Sequence, residues 1–330
     1  MTELETNLDR VKLAARLYHV DGLSQGEVGK ILEVSQAMVS RFLRQAREKG
    51  IVRITVDEYQ PRETGLEGEL RRTYPKLKQV VVVRDPVEGS IAGIRRNVGY
   101  FAAPVIAEMI TPGRVIGVTG GRTLAELIKR VNRTEGRRDL RVVPLMGSIG
   151  AVVNESDAAE LSRTLAEEFW GACYALNMPA FVSTTAGRSA LMEQQQVRVV
   201  WGLYGAMTLA LVGIGTLKDS AFIDRGILSE QDLGRLRRAG AVGEICGRYF
   251  NGDGKECATD LRKRVVSIEL EELRKMPEVV GVTAGTGRGE AVAVAVRTGL
   301  VNSLVVDECC AREMLGHAAM GKRGGKAVPM

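Results

Sequence analysis

"VIGVTGGRTLAELI", Val115–Ile128, holds the transition on which the fold turns. A short apolar run ending at Thr119 reads as a strand buried on both faces. Gly120-Gly121 lets the backbone turn closely, and Arg122-Thr123 opens a helical pattern that runs to Val131. Backbone N–H groups at a helix start, joined by a guanidinium and a hydroxyl, suit a phosphate. A tight strand-to-helix turn needs the same two glycines. The stretch matches neither a Walker loop nor the G-x-G-x-x-G fingerprint.

The alternation repeats outward from there. Strands are expected at Gln79–Val83, Val115–Thr119, Arg141–Leu145, Ala180–Ser183, Thr208–Gly213, Val265–Ile268, Val279–Thr283 and Leu304–Val306. Helical patterns lie at Ile91–Met109, Arg122–Val131, Ala158–Ala175 and Glu290–Arg297. Apolar strands alternating with helices imply an α/β fold, with a Rossmann-like, mostly parallel sheet covered on both faces. Ligands of such sheets bind outside the carboxyl ends of the strands. Three further loops follow strands there: Met146–Gly150, Gly213–Leu217 and Ala284–Ala291. Gly147, Gly213 and Gly215 on these loops could join Gly120, Gly121, Arg122 and Thr123 in one pocket.

Ahead of the sheet comes "LSQGEVGKILEVSQAMVSRFLRQAREKGIVRI", Leu23–Ile54. Leu8–His19 reads as a first helix. Ser24 and Glu27 form a capping box for a second helix at Gln25–Leu32, and Ser35 caps a third that runs to Lys49 and stops at Gly50. Ile51–Val56 alternates like a short strand. Residues 1–56 therefore read as a winged helix-turn-helix, although Glu33 stands at the turn position where glycine is usual. On the third helix Val39, Phe42, Leu43 and Ala46 make one apolar stripe. Ser35, Gln36, Ala37, Ser40, Arg41, Arg44 and Arg47 are the expected contacts to double-stranded operator DNA, with Gln36, Ala37, Ser40 and Arg41 at base edges and Arg44 and Arg47 at phosphates. A plain helical hairpin that binds protein would show the same periodicity. Charge separates the two readings: Arg10 to Arg53 carries nine basic residues against four acidic ones, +5 of the chain's net +6.

The 330 residues suffice for two domains, with 45% hydrophobic and 26% charged residues, ordinary for a soluble protein. No apolar run has membrane-spanning length and the N-terminus lacks a signal pattern, so a cytoplasmic protein with no membrane partner is expected. Five scattered cysteines without a C-x-x-C pair, and only His19 and His317, give no metal site, cofactor or histidine-based catalytic triad to expect. Polar residues 57–66 read as a linker, with one or two helical turns at Glu67–Tyr74, residues 67–316 as the α/β domain, and Gly-rich, basic residues 317–330 as a disordered tail.

The helix-turn-helix, together with "GVTGGRTL", "VVPLMGSIG", "PAFVST", "LVGIGTL", "GAVGEICGRYFNGDG" and "MPEVVGVTAGTGRGEAVAVAVRTGLVNSLVVDECCAREML", resembles the SorC/DeoR-type bacterial transcription regulators from about Leu13 to Leu315. The resemblance implies that residues 67–316 are a sugar-phosphate effector-binding and oligomerisation domain similar to glucosamine-6-phosphate deaminase and ribose-5-phosphate isomerase. Such a domain binds a phosphorylated sugar or polyol without turnover and assembles homodimers or homotetramers. It implies a carbohydrate operon as the target, under repression. Carried over by position, Gly120–Thr123 would hold the phosphate, Arg288 would replace the usual lysine, and Glu244 and Asp253 would meet sugar hydroxyls. Met146 lies in a segment where some deoxyribonucleoside regulators carry a Schiff-base lysine, and "AGTGRGE" has extra glycine, so the ligand is expected to differ. An isomerase- or deaminase-like enzyme with an added DNA-binding module is the alternative, with Asp253 or Glu244 as base.

Overall fold

The computed structural model describes residues 3–54, 60–85, 89–132 and 139–323. The chain divides into two compact units, residues 1–60 and 61–330.

In the first unit, α1 (Glu3–His19), α2 (Gln25–Leu32) and α3 (Gln36–Glu48) pack on one another. The Ser24–Glu27 capping box is closed: the Glu27 N–H donates to Ser24 Oγ at 3.3 Å, and the Ser24 N–H to Glu27 Oε2 at 2.8 Å. Ser35 Oγ likewise accepts the Met38 N–H at 3.2 Å. Val11, Ala14, Val28, Val39, Phe42, Leu43 and Ala46 form the core. A Cβ at Gly29 would stand 2.8 Å from the Val34 carbonyl oxygen, so glycine is what lets α2 meet the start of α3. Glu33 adopts the left-handed conformation, φ 51° and ψ 45°. One expectation changes: Ile51–Ile54 form no strand, and Thr55 and Val56 lie outside the described residues.

The second unit opens with α4 (Thr64–Thr73), which starts inside the stretch expected as linker. Thereafter come β1 (Val80–Val83), α5 (Ile91–Met109), β2 (Val115–Val118), α6 (Arg122–Ile128), β3 (Arg141–Pro144), α7 (Ala158–Glu168), β4 (Ala172–Cys173), α8 (Thr185–Met192), α9 (Gln195–Tyr204) and β5 (Leu209–Gly213). α10 (Ala221–Asp224) and α11 (Glu230–Arg238) lead into a hairpin of β6 (Ala241–Ile245) and β7 (Arg248–Asn251). A 3-10 turn, α12 (Leu270–Lys275), β8 (Val279–Val282), α13 (Gly289–Arg297), β9 (Ser303–Asp307) and α14 (Glu308–Arg323) complete the unit. α14 continues past His317, where a disordered tail was expected to begin, and residues 324–330 lie outside the described residues.

Seven parallel strands run in the order β1-β9-β8-β5-β2-β3-β4. Alternate strand residues divide between two cores. Val80 and Val82 join α4, α9, α12, α13 and α14, while Val81 and Val83 join α5, α6 and α7. Each buried valine contributes roughly 1.5–3 kcal/mol, which is why the strands read as continuous apolar runs. After β2 the chain moves outward through β3 to β4, then returns to place β5 on β2's other side. The topological switch point therefore lies between β2 and β5.

Three expectations fail in detail. α7 stops at Glu168, short of Ala175, because Trp170 turns to φ 51° and the Gly171 N–H closes on the Ala166 carbonyl at 2.8 Å. The chain then supplies β4 as the sheet edge. Ala180–Ser183 and Val265–Ile268 are not sheet strands: they bridge one another (Phe181 with Val265) and the loop after β3 (Met146 with Ser267).

Candidate functional site

The carboxyl ends of β2, β5 and β8 open into a cavity of about 340 Å³ at the switch point. Gly120, Gly121, Arg122, Thr123, Gly213, Gly215, Glu244 and Arg288 all line it, as does Met146. Gly147 and Asp253 do not. The Gly147 N–H is donated to the Val266 carbonyl at 3.0 Å, and a Cβ there would come within 2.4 Å of the Met178 carbonyl oxygen, so its role is close packing. Asp253 sits exposed in the turn after β7, where its N–H binds Asn251 Oδ1 at 3.1 Å.

The first two loops are stitched together. Thr119 Oγ1 accepts the Gly213 N–H at 3.0 Å and donates to the Gly120 carbonyl at 2.9 Å. A Cβ on Gly213 would press to 3.1 Å from the Gly120 oxygen. The Gly121 N–H, offered to a phosphate by sequence reasoning, is already donated to the Ser156 carbonyl at 2.9 Å. The backbone of the fourth loop is also occupied: Glu313 on α14 accepts the N–H groups of Gly287, Arg288 and Gly289 at 2.8, 3.1 and 2.9 Å. What that loop gives the cavity is the Arg288 side chain. It is 8% exposed and donates from Nη1 to the Ile214 carbonyl at 3.0 Å.

Side chains, more than helix ends, charge the cavity: four arginines and four carboxylates line it. Arg95 from α5, Arg122 from the start of α6 and Arg288 converge on the Asp219 carboxylate; Arg122 and Arg288 touch it, and Arg95 Nη2 stands 3.6 Å away. Burial first, and then the neighbouring Arg122, hold the Arg95 guanidinium below its ordinary value. Arg225 pairs with Asp157 at 2.5 Å and donates to the Ile149 carbonyl. Glu244 also lines the cavity; its Oε1 accepts the Gly247 N–H, and burial pushes its carboxyl up to about 7. Gly215 pairs antiparallel with Glu244, N–H to carbonyl both ways at 2.9 and 3.0 Å, and a Cβ there would meet the Glu244 carboxylate at 2.6 Å.

Sequence reasoning missed Arg95, Asp157, Asp219 and Arg225. Arg95-Arg96 interrupting an otherwise apolar helix start was a readable signal for the first. The others become neighbours of the cavity only through long-range folding.

In the first unit Ser35, Gln36, Ala37, Arg41, Arg44 and Arg47 are exposed and Ser40 is half-buried. Among the described residues the guanidiniums of Arg41, Arg44 and Arg47 make no hydrogen bond or ion pair. Most of the described arginines of the second unit are paired. Exposed, unpaired guanidiniums along one helix face can neutralise phosphates without first breaking a contact.

The family described as "Putative sugar-binding domain" matches residues 60–316, most of the chain and all of the cavity. The chain belongs to the SorC-type family of sugar-responsive regulators. It is 27% identical over 323 residues to the transcriptional regulator LsrR of Enterobacter sp., covering 95% of this chain and 94% of that one. It is 26% identical to the deoxyribonucleoside regulator of Bacillus subtilis, covering 92% of this chain and 96% of that one. The full-length sorbitol operon regulator SorC of Klebsiella pneumoniae superposes with a TM-score of 0.71 at 23% identity, over 94% of this chain and 99% of that one. This SorC-type chain thus shares the fold over both units. Among its described residues no helix is long and apolar enough to cross a membrane, and no group of histidine, cysteine or carboxylate side chains could hold a metal.

Proposed function

We propose that this SorC-type chain represses a carbohydrate-metabolism operon and that a phosphorylated sugar or polyol, bound in the switch-point cavity, controls its operator affinity. One observation carries the reading: three guanidiniums from three separate elements converge on a single anion position inside a cavity sized for a small sugar. Glu244, Asp157 and Ser156 line the same cavity as acceptors for hydroxyl groups. The first unit reads the operator through α3, and two copies, as a homodimer or within a homotetramer, meet two half-sites roughly 34 Å apart or a multiple of that.

The test is operator affinity by gel shift against a panel of sugar phosphates and their unphosphorylated parents. Linkage makes the loss of DNA affinity equal to the loss of sugar affinity on DNA, typically 5–150-fold. A parent sugar as effective as its phosphate ester would sink the anion assignment. A second reading, an isomerase- or deaminase-like enzyme, draws on Glu244, because a carboxyl titrating near 7 is poised for general-base work. We favour the regulator, since the cavity wall offers Glu244 no histidine or lysine partner among the described residues. Turnover of a bound sugar phosphate by the purified protein would reverse that preference.

A further inference from the structure

The anion position is not open: the protein fills it with its own carboxylate. Asp219 is held by Arg122 through one carboxylate oxygen and by Arg288 through the other, which also faces Arg95. Arg288 gives one N–H of Nη1 to the Ile214 carbonyl and meets Asp219 through Nη2, so another anion reaches the point shared with Arg95 and Arg122 only by displacing the Asp219 carboxylate.

Asp219 rides on a segment fixed at its ends and weakly held between them. Gly215 is paired with Glu244 on β6 at one end. At the other, Ser220 Oγ bonds to Tyr249 Oη on β7 at 3.0 Å and caps α10. Thr216 to Asp219 between them are held by long backbone contacts, the Asp219 N–H to the Thr216 carbonyl at 3.3 Å and the reverse at 3.5 Å, and by the Lys218 N–H to Thr216 Oγ1 at 3.3 Å. Once the Asp219 carboxylate is displaced from Arg122 and Arg288, such a turn opens at little cost, and both of its anchors belong to the β6–β7 hairpin.

We infer that Asp219 is a tethered competitor for the effector's anionic group: binding exchanges the Asp219 carboxylate for that group and releases the Thr216–Ser220 turn. This rests on the reading of the cavity as an anion-binding effector site. An intramolecular ligand competes at high effective concentration, so the measured affinity is the intrinsic affinity reduced by the fraction of time the site is vacant. If Asp219 is seated about nine-tenths of the time, its removal strengthens anion binding about tenfold. The competitor also sets a threshold. A phosphate dianion outbids a single carboxylate for three guanidiniums, whereas a monoanion meets its own equal already in place.

The probes are inorganic phosphate and acetate, titrated calorimetrically at pH 7.5 into the full-length chain. We expect Asp219→Asn and Asp219→Ala each to bind phosphate about tenfold more tightly than wild type, and to bind acetate where wild type does not. Arg122→Ala is expected to lose phosphate in every background. Unchanged or weaker phosphate binding in both Asp219 variants, with the Arg122 dependence intact, overturns the exchange and leaves the effector site standing. Phosphate binding that is absent throughout, or indifferent to Arg122, overturns both. Hydrogen exchange in the wild type needs no variant: the Leu217–Asp219 amides are expected to exchange faster with phosphate than without, and unchanged or slower exchange refutes the release of the turn.

Discussion

Replacing Glu244 with glutamine should make the protein's stability less dependent on pH. Burial raises the Glu244 carboxyl from its ordinary 4.5 to about 7, partly opposed by the Gly247 N–H. A group with a raised folded-state value holds a proton that the unfolded chain has already released, so stability falls as pH rises between about 4.5 and 7 and levels off above. At 1.36 kcal/mol for each tenfold, that window corresponds to roughly 3 kcal/mol. The cavity is open to solvent and screens the charge, so about 1–3 kcal/mol is expected. Glutamine keeps the acceptor for Gly247 and carries no charge. The variant should match the wild type near pH 5 and exceed it by that amount at pH 7.5. Asp307 is also raised, to about 6, but it is common to both proteins and cancels in the difference. Both tryptophans, Trp170 and Trp201, lie in the second unit, so their fluorescence during urea unfolding reports the unit that contains Glu244. A stability difference that is the same at both pH values would refute the reasoning.

Three further outcomes follow from named contacts. Arg41→Ala should cost about 1–3 kcal/mol at the operator and relax base preference, whereas Arg44→Ala should weaken operator and scrambled duplex alike; paired gel-shift titrations check both. Glu33→Gly should stabilise the first unit by about 1 kcal/mol, because Glu33 sits at φ 51°, and helical circular dichroism of residues 1–60 during thermal unfolding would show it. Gly147→Ala should destabilise the second unit by several kcal/mol or prevent its folding, since its Cβ would fall between 2.4 and 2.7 Å of backbone at Met178, Pro179 and Ala180. Wild-type fluorescence unfolding of that variant would contradict this assignment.

Local chemistry explains which parts of the molecule were legible in the sequence. α2 and the start of α3 could be placed to the residue because Ser24, Glu27 and Ser35 close hydrogen bonds within three residues of themselves. The buried parallel strands were visible because both faces demand apolar side chains. The β6–β7 hairpin was overlooked, although Cys246 and Gly247, at φ 56° and 74°, form the two-residue left-handed turn that suits such a connection. Cysteine is an uncommon residue there, which hid the signal. Ala180–Ser183 and Val265–Ile268 have strand-like composition, but their partners are each other and the loop after β3, a matter of tertiary placement. The site divides in the same way. Glycines at strand ends announce themselves, while Asp219 has meaning only beside Arg95, Arg122 and Arg288, which lie far from it in sequence.

Glu313 has a consequence for anyone handling this protein. Its carboxylate grips three successive N–H groups around Arg288 from the middle of the last helix, so α14 is a lever whose short arm ends at the anion position. A fusion or affinity tag joined after Arg323 leaves that grip intact, whereas a truncation before Glu313 frees the Gly287–Gly289 backbone and leaves Arg288 without its mount. Deafness to the effector would then arise from a cut that removes no residue of the cavity wall.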